Sequence, residues 1–131
     1  MDEPEWILRE SVLIAHELQL HEHGGQAGIR DEGLLDSALS RPRHQWTYGS
    51  PPPDVASLGA AYAFGIARNH PFFDGNKRTA AVVCEAFLMT LGKRLVATDD
   101  DWYEAMMALA AGELSEDAFA KWLRDHLSTG D

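Results

Sequence analysis

Apolar residues recur at helical spacing in six stretches, separated by glycines, prolines and acidic or hydroxyl caps, which predicts an all-α protein. The first helix is expected from about Arg9 to His23. Val12, Ala15, Leu18 and either Gln19 or Glu22 track one side, Leu8 and Leu20 widen the apolar face, and Gly24-Gly25 ends it. A second, short helix should begin at an Asp31 cap and use Leu34, Leu35, Ala38 and Leu39 before Pro42 stops it. The following stretch to Asp54 contains Pro51-Pro52-Pro53 and is expected to be a loop.

The third helix starts near Asp54 and carries Val55, Leu58, Tyr62 and Ile66, with Gly59 and Gly65 admitting close neighbours. Pro71 pushes the residue before it out of the α region, so this helix should end at about Asn69 or His70. The fourth, about Gly75 to Leu91, has Ala80, Val83, Cys84, Phe87 and Leu91 inward and stops at Gly92. Its pattern is apolar over more than half its circumference, which makes it the expected central helix. Arg94 to Ala97 could form a short extended piece. A fifth helix follows Asp99 to Asp101 with Trp102, Met106, Leu109 and Ala110 inward, and a sixth follows Ser115 with Phe119, Trp122, Leu123 and Leu127. The expected architecture is a compact bundle of about six helices around a central helix, one domain over residues 1–131, without internal repeats.

Length agrees with that picture, since 131 residues can bury roughly two thirds of the unfolded surface in one core. No apolar run approaches a membrane span and the start lacks a signal-peptide pattern, so a cytoplasmic location and no membrane partner are expected. The single Cys84 cannot form an intramolecular disulfide and reads as a buried small hydrophobe. A formal charge of −10 argues against a nucleic-acid surface.

The chemistry concentrates in His70-Pro71-Phe72-Phe73-Asp74-Gly75-Asn76-Lys77-Arg78. The histidine sits at a break between helices, Phe72 and Phe73 anchor an otherwise polar loop, and Asp74-Gly75 is a turn signal. Asn76, Lys77 and Arg78 then fall in a helix's first turn, where unpaired N–H groups and the helix dipole attract anions. Cations there cost roughly 0.3–1 kcal/mol each unless an anion is expected, and a purely structural loop would carry Asp or Glu instead. A base, a carboxylate, an anion site and two cations are the parts of a phosphate-transfer centre.

This segment resembles the signature of the Fic/Doc family: His, any residue or Pro, Phe, any residue, Asp or Glu, Gly or Ala, Asn, Gly or Lys, Arg. The similarity extends through His23-Gly24-Gly25, Gly28, Arg30 to Leu35 and Ala67-Arg68-Asn69, roughly residues 8 to 125, and is greatest to the compact Doc branch, toxins of toxin–antitoxin modules. The resemblance implies a Fic/Doc-like fold. It also implies that Lys77, where AMP-transferring members carry Gly, turns ATP around so that its γ-phosphate meets the histidine. His70 is then the general base, Asp74 the Mg²⁺ carboxylate, Gly75 and Asn76 phosphate donors, and Lys77 and Arg78 the clamp on developing charge. Arg68 is either a second phosphate contact or a surface arginine at a helix end. Gly75 departs from the usual Ala of Doc, and with Pro71 it resembles the AMP-transferring branch.

The same resemblance implies ATP and Mg²⁺ as cofactors, a translation component, elongation factor Tu, as substrate, and a cognate antitoxin as partner. Family members that restrain themselves carry Ser or Thr, three residues, then Glu followed by Gly or Asn. Glu32-Gly33 is the only Glu followed by Gly or Asn, with Gly28 four positions before it, so control should come from a separate, disordered antitoxin that folds on binding. Gln45, Trp46, Thr47 and Tyr48 occupy the region expected to form a target-binding flap. Trp46 and Tyr48 could equally pin that loop to the body. Three functions are thus open: a toxin kinase, an AMP-transferring enzyme using the same pocket, and a catalytically silent antitoxin-binding module.

Other features read as structural. His16, His21 and His23 lack the i, i+4 facing of a helical metal site, and Asp99-Asp100-Asp101 is the ordinary complement of a helix dipole.

Overall fold

A computed structural model describes residues 1–128. Six helices form in the expected order, α1 (Arg9–His23), α2 (Glu32–Tyr48), α3 (Val55–Asn69), α4 (Asn76–Thr90), α5 (Asp99–Ala111) and α6 (Glu116–Asp125). Two residues of β1 (Arg94–Leu95) pair antiparallel with β2 (Leu127–Ser128), so Leu127 closes this ribbon instead of continuing the sixth helix. The fold is a compact all-α bundle. No helix among the described residues is long and apolar enough to cross a membrane.

The starts of four helices are specified by side chains. Asp31, Asp54, Thr98 and Ser115 each accept the N–H three residues on, which satisfies one of the donors a helix leaves free. Two helices start without a side-chain cap: α1, whose N-cap is Leu8, and α4, whose N-cap is Gly75 at φ +79°.

The central helix is α3 rather than α4. It packs against α2, α4, α5 and α6, and Leu58 through Ala63 are buried without interruption. Small residues make this possible. A Cβ added at Gly65 would lie 3.0 Å from Ala38 Cα, so α2 and α3 are close to backbone contact there. The helix α4, apolar but bulkier, fills the next position with Val83, Cys84, Phe87 and Leu88 buried against α3, while Leu91 is only half-buried.

Two further expectations are corrected. α2 does not stop at Pro42 but runs to Tyr48 with Pro42 buried inside it, because Arg41 and Gln45, one turn apart, both reach Glu116 on α6 and hold the extra turns in place. α1 buries Val12 and His16 while Leu18 and Leu8 are exposed, so its inward line passes through a histidine.

Candidate active site

The loop between α3 and α4 is held from below, from both ends and from one side. His70 ends α3 in the left-handed region at φ 50° and ψ 57°, and its N–H still donates to the Ile66 carbonyl. The Arg30 guanidinium donates to the carbonyls of His70, at 2.8 Å from Nε, and Asn69, at 3.0 Å from Nη2. A cation is thereby placed on the negative end of the helix. Pro71 and Phe72 are buried, and the Pro71 carbonyl accepts the N–H groups of Arg30 and Asp31 at 2.7 and 3.1 Å. Ile29 and Phe72 form an antiparallel bridge. The extended backbone beside His70 is therefore the segment following α1.

Asn76, 4% exposed, closes the loop on itself. Its Oδ1 accepts from the Phe72 N–H at 3.0 Å, its Nδ2 donates to the Phe72 carbonyl at 2.9 Å, and Nδ2 lies 3.4 Å from His70 Nδ1. The amide expected to face phosphate is instead occupied in bracing the loop and the imidazole. The Asp74 carboxylate accepts the Gln26 N–H at 2.6 Å through Oδ2. Gly25, at φ +123°, lets that strand approach, since a Cβ there would meet Asp74 Cβ at 2.9 Å.

His70, Phe73, Asp74, Gly75, Asn76, Lys77 and Arg78 line one cavity of about 250 Å³. Lys77 and Arg78 also line a neighbouring cavity of about 420 Å³, walled by Ala81, Trp102, Tyr103, Met106 and Met107 with His23, Gln19 and Asp99 at its polar side. Two cations thus stand where a small polar cavity meets a larger apolar one. Among the described residues neither takes part in an ion pair, although the chain carries a formal charge of −10. The first-turn N–H groups of α4 have no side-chain cap, which leaves an electropositive end open to an anion.

No group of three or more His, Cys, Asp or Glu side chains among the described residues could form a metal cage. A lone carboxylate beside an anion site still fits Mg²⁺, which is commonly bound by one or two carboxylates together with substrate phosphates and water.

Two sets of expected site residues lie elsewhere. Arg68 projects from the far side of α3 over the Phe64 ring at 5.5 Å and lines a cavity of about 680 Å³ with Gly112 to Ala118, apart from His70. Gln45, Trp46, Thr47 and Tyr48 form the last turn of α2, so their N–H groups are committed to helical hydrogen bonds and their backbone is not an extended strand edge. Trp46 packs on the core, Gln45 donates to Glu116, and Tyr48 meets His44 edge-on. His16, which its sequence spacing alone leaves as a structural residue, donates through Nε2 to the Asp74 carbonyl at 2.8 Å while its ring stacks on Phe72 with centroids 3.8 Å apart. The available signal was its position one turn after Val12 on the buried face.

Comparison with known proteins gives the family. A family model described as the Fic/DOC family matches residues 6–88. The chain is 40% identical over 97 residues to "Toxin Doc" of Mycolicibacterium smegmatis, covering 73% of this chain and 72% of that protein. It is 29% identical over 115 residues to "Protein kinase doc" of Escherichia phage P1, covering 88% and 90% respectively.

Proposed function

Because this chain belongs to the Fic/Doc family and is Doc-like, we propose that it is a toxin kinase that transfers the γ-phosphoryl group of ATP to a protein hydroxyl. The observation that carries the reading is the shared cavity: an imidazole, a carboxylate and two cations that have no ion-pair partner among the described residues line one space. The name of the phage relative, a protein kinase, points the same way.

The step follows from these groups. His70 takes the hydroxyl proton as the oxygen attacks the γ-phosphorus, the bond from that phosphorus to the bridging β–γ oxygen breaks, and ADP leaves. Lys77, Arg78 and the first-turn N–H groups of α4 hold the non-bridging oxygens as charge develops. Mg²⁺ bound by Asp74 and phosphate oxygens would supply further charge neutralisation. The apolar cavity of Trp102, Tyr103, Met106 and Met107, reached past both cations, has room for the nucleoside.

The Lys77 side chain occupies space that a glycine would leave as bare backbone, which favours presenting the terminal phosphate over the inner one. By family resemblance the target is a translation component, elongation factor Tu, and a separate antitoxin provides control. Gly75 in place of Ala keeps AMP transfer as the second reading. ATP labelled at either the α or the γ position, incubated with cell extract, separates the two. Label on protein from γ alone is expected, and label from α alone would remove the kinase reading. A Lys77→Gly variant is expected to gain AMP transfer, and an unchanged product would count against this role of the side chain.

A further inference from the structure

We infer that His16, buried on α1 and 58 residues from Asp74 in sequence, is a positioning residue that aims the Gly75 N–H into the anion site. The inference rests on the reading of the α4 start as a phosphate site.

The Asp74–Gly75 peptide is trans, since the one cis bond among the described residues is Ser50–Pro51, and in a trans peptide the C=O and N–H point in opposite directions. His16 Nε2 holds the Asp74 carbonyl from the α1 side at 2.8 Å. The Gly75 N–H is thereby turned away from α1. It has no hydrogen-bond partner among the described residues, and Gly75 lines the same cavity as His70, Lys77 and Arg78. The N–H of Gly75 thus joins the uncapped N–H groups of α4's first turn, completing the set of free donors at this helix start.

The peptide would be free to flip without this constraint, because Gly75 at φ +79° is a glycine with access to both halves of φ space. Its surroundings select one orientation. The His16 ring lies parallel to Phe72 within 10°, Phe72 is itself clamped by Asn76 on both its N–H and C=O, and His16 Cδ2 is 3.5 Å from the Cβ position of Gly75. A carbonyl only accepts, so Nε2 is the ring nitrogen that donates to Asp74.

The test uses inorganic phosphate as probe on the full chain, followed by amide and imidazole nitrogen resonances. In the parent protein, phosphate should shift the Gly75 amide together with those of Asn76, Lys77 and Arg78, and His16 should show a protonated Nε2. His16→Phe keeps a ring against Phe72 and loses the donor; it should weaken phosphate binding about tenfold and abolish the Gly75 shift. His16→Gln places an amide nitrogen near the Nε2 position and should restore binding to within about threefold of the parent.

The inference is overturned by a proton on Nδ1 instead, by parent-like phosphate affinity in His16→Phe, or by equal losses in both variants that track Tm. If neither variant folds, the tautomer and the Gly75 shift in the parent decide alone. Phosphate binding that behaves as expected in a protein that transfers nothing from ATP would leave His16 in its role and remove the kinase reading.

Discussion

His70 is the residue whose backbone and side chain make opposite demands. The left-handed conformation costs a non-glycine residue about 1–2 kcal/mol, and asparagine tolerates it better than most. The fold imposes it by tying the His70 N–H to Ile66 and its carbonyl to Arg30. His70→Asn therefore removes the imidazole while respecting the backbone. It should leave Tm within a few degrees of the parent and lower phosphoryl transfer by about 10²–10⁴, the usual worth of a general base. Retention of more than a tenth of the rate, measured with γ-labelled ATP, would remove His70 from that role. The residues from His70 to Arg78 could be read from sequence because they are contiguous and their chemistry conflicts with ordinary helix starts. His16 could not, because its partner is a carbonyl on a distant loop, and a polar residue on a helix reads as solvent-facing until the packing is known. Of the two alternatives open for Arg68, the structure favours the surface arginine: two residues from His70 in sequence, it projects over Phe64 and lines a different cavity.

Among the elements, the helices that end in a local signal were legible and those that end through a tertiary contact were not. The Asp31, Asp54 and Ser115 caps stand where the sequence places them, whereas α2 passes through Pro42 because Glu116, 71 residues beyond Gln45, holds its last turns. A proline removes one N–H and strains a helix by about 3 kcal/mol, a cost that packing can offset. The Asp54 cap carries a pH signature. Its carboxylate is held down to about 2 by the Arg124 guanidinium, helped by the Ser57 N–H, against an ordinary value of 3.8. A depressed folded-state pKa contributes stability that is present above the unfolded value and lost as pH falls through the folded one. Asp54→Asn keeps the N-cap and loses the charge. It should lower stability by about 1 kcal/mol at pH 7, after allowance for solvent screening of this half-exposed pair. The difference in Tm between parent and variant should hold down to about pH 5 and close between pH 4 and pH 2. A gap that persists at pH 2 would show that the ion pair is not its source.

At the scale of the whole molecule, the site and the core share one helix. The first turn of α4 carries Lys77 and Arg78 at the cavity, and two turns further Cys84 is fully buried against α3. Burial pushes its thiol well above the ordinary cysteine range, with Glu85 adding in the same direction, so the native thiol is inert and reacts only when the bundle opens. Its labelling rate by a thiol reagent consequently reports opening of the core. A ligand that binds only the closed state lowers the open population by the factor 1 + [L]/Kd. ATP with Mg²⁺ at ten times its Kd should therefore slow Cys84 labelling about tenfold if the core and the α4 site open together. Lys77→Ala, which removes the cation proposed to hold phosphate without touching the core, should need a higher ATP concentration for the same protection while labelling at the parent rate in the absence of ATP. Protection that is unchanged by Lys77→Ala would place the nucleotide elsewhere on the molecule. Labelling that ignores ATP despite measured binding would mean that α4 opens around Cys84 while its first turn stays assembled.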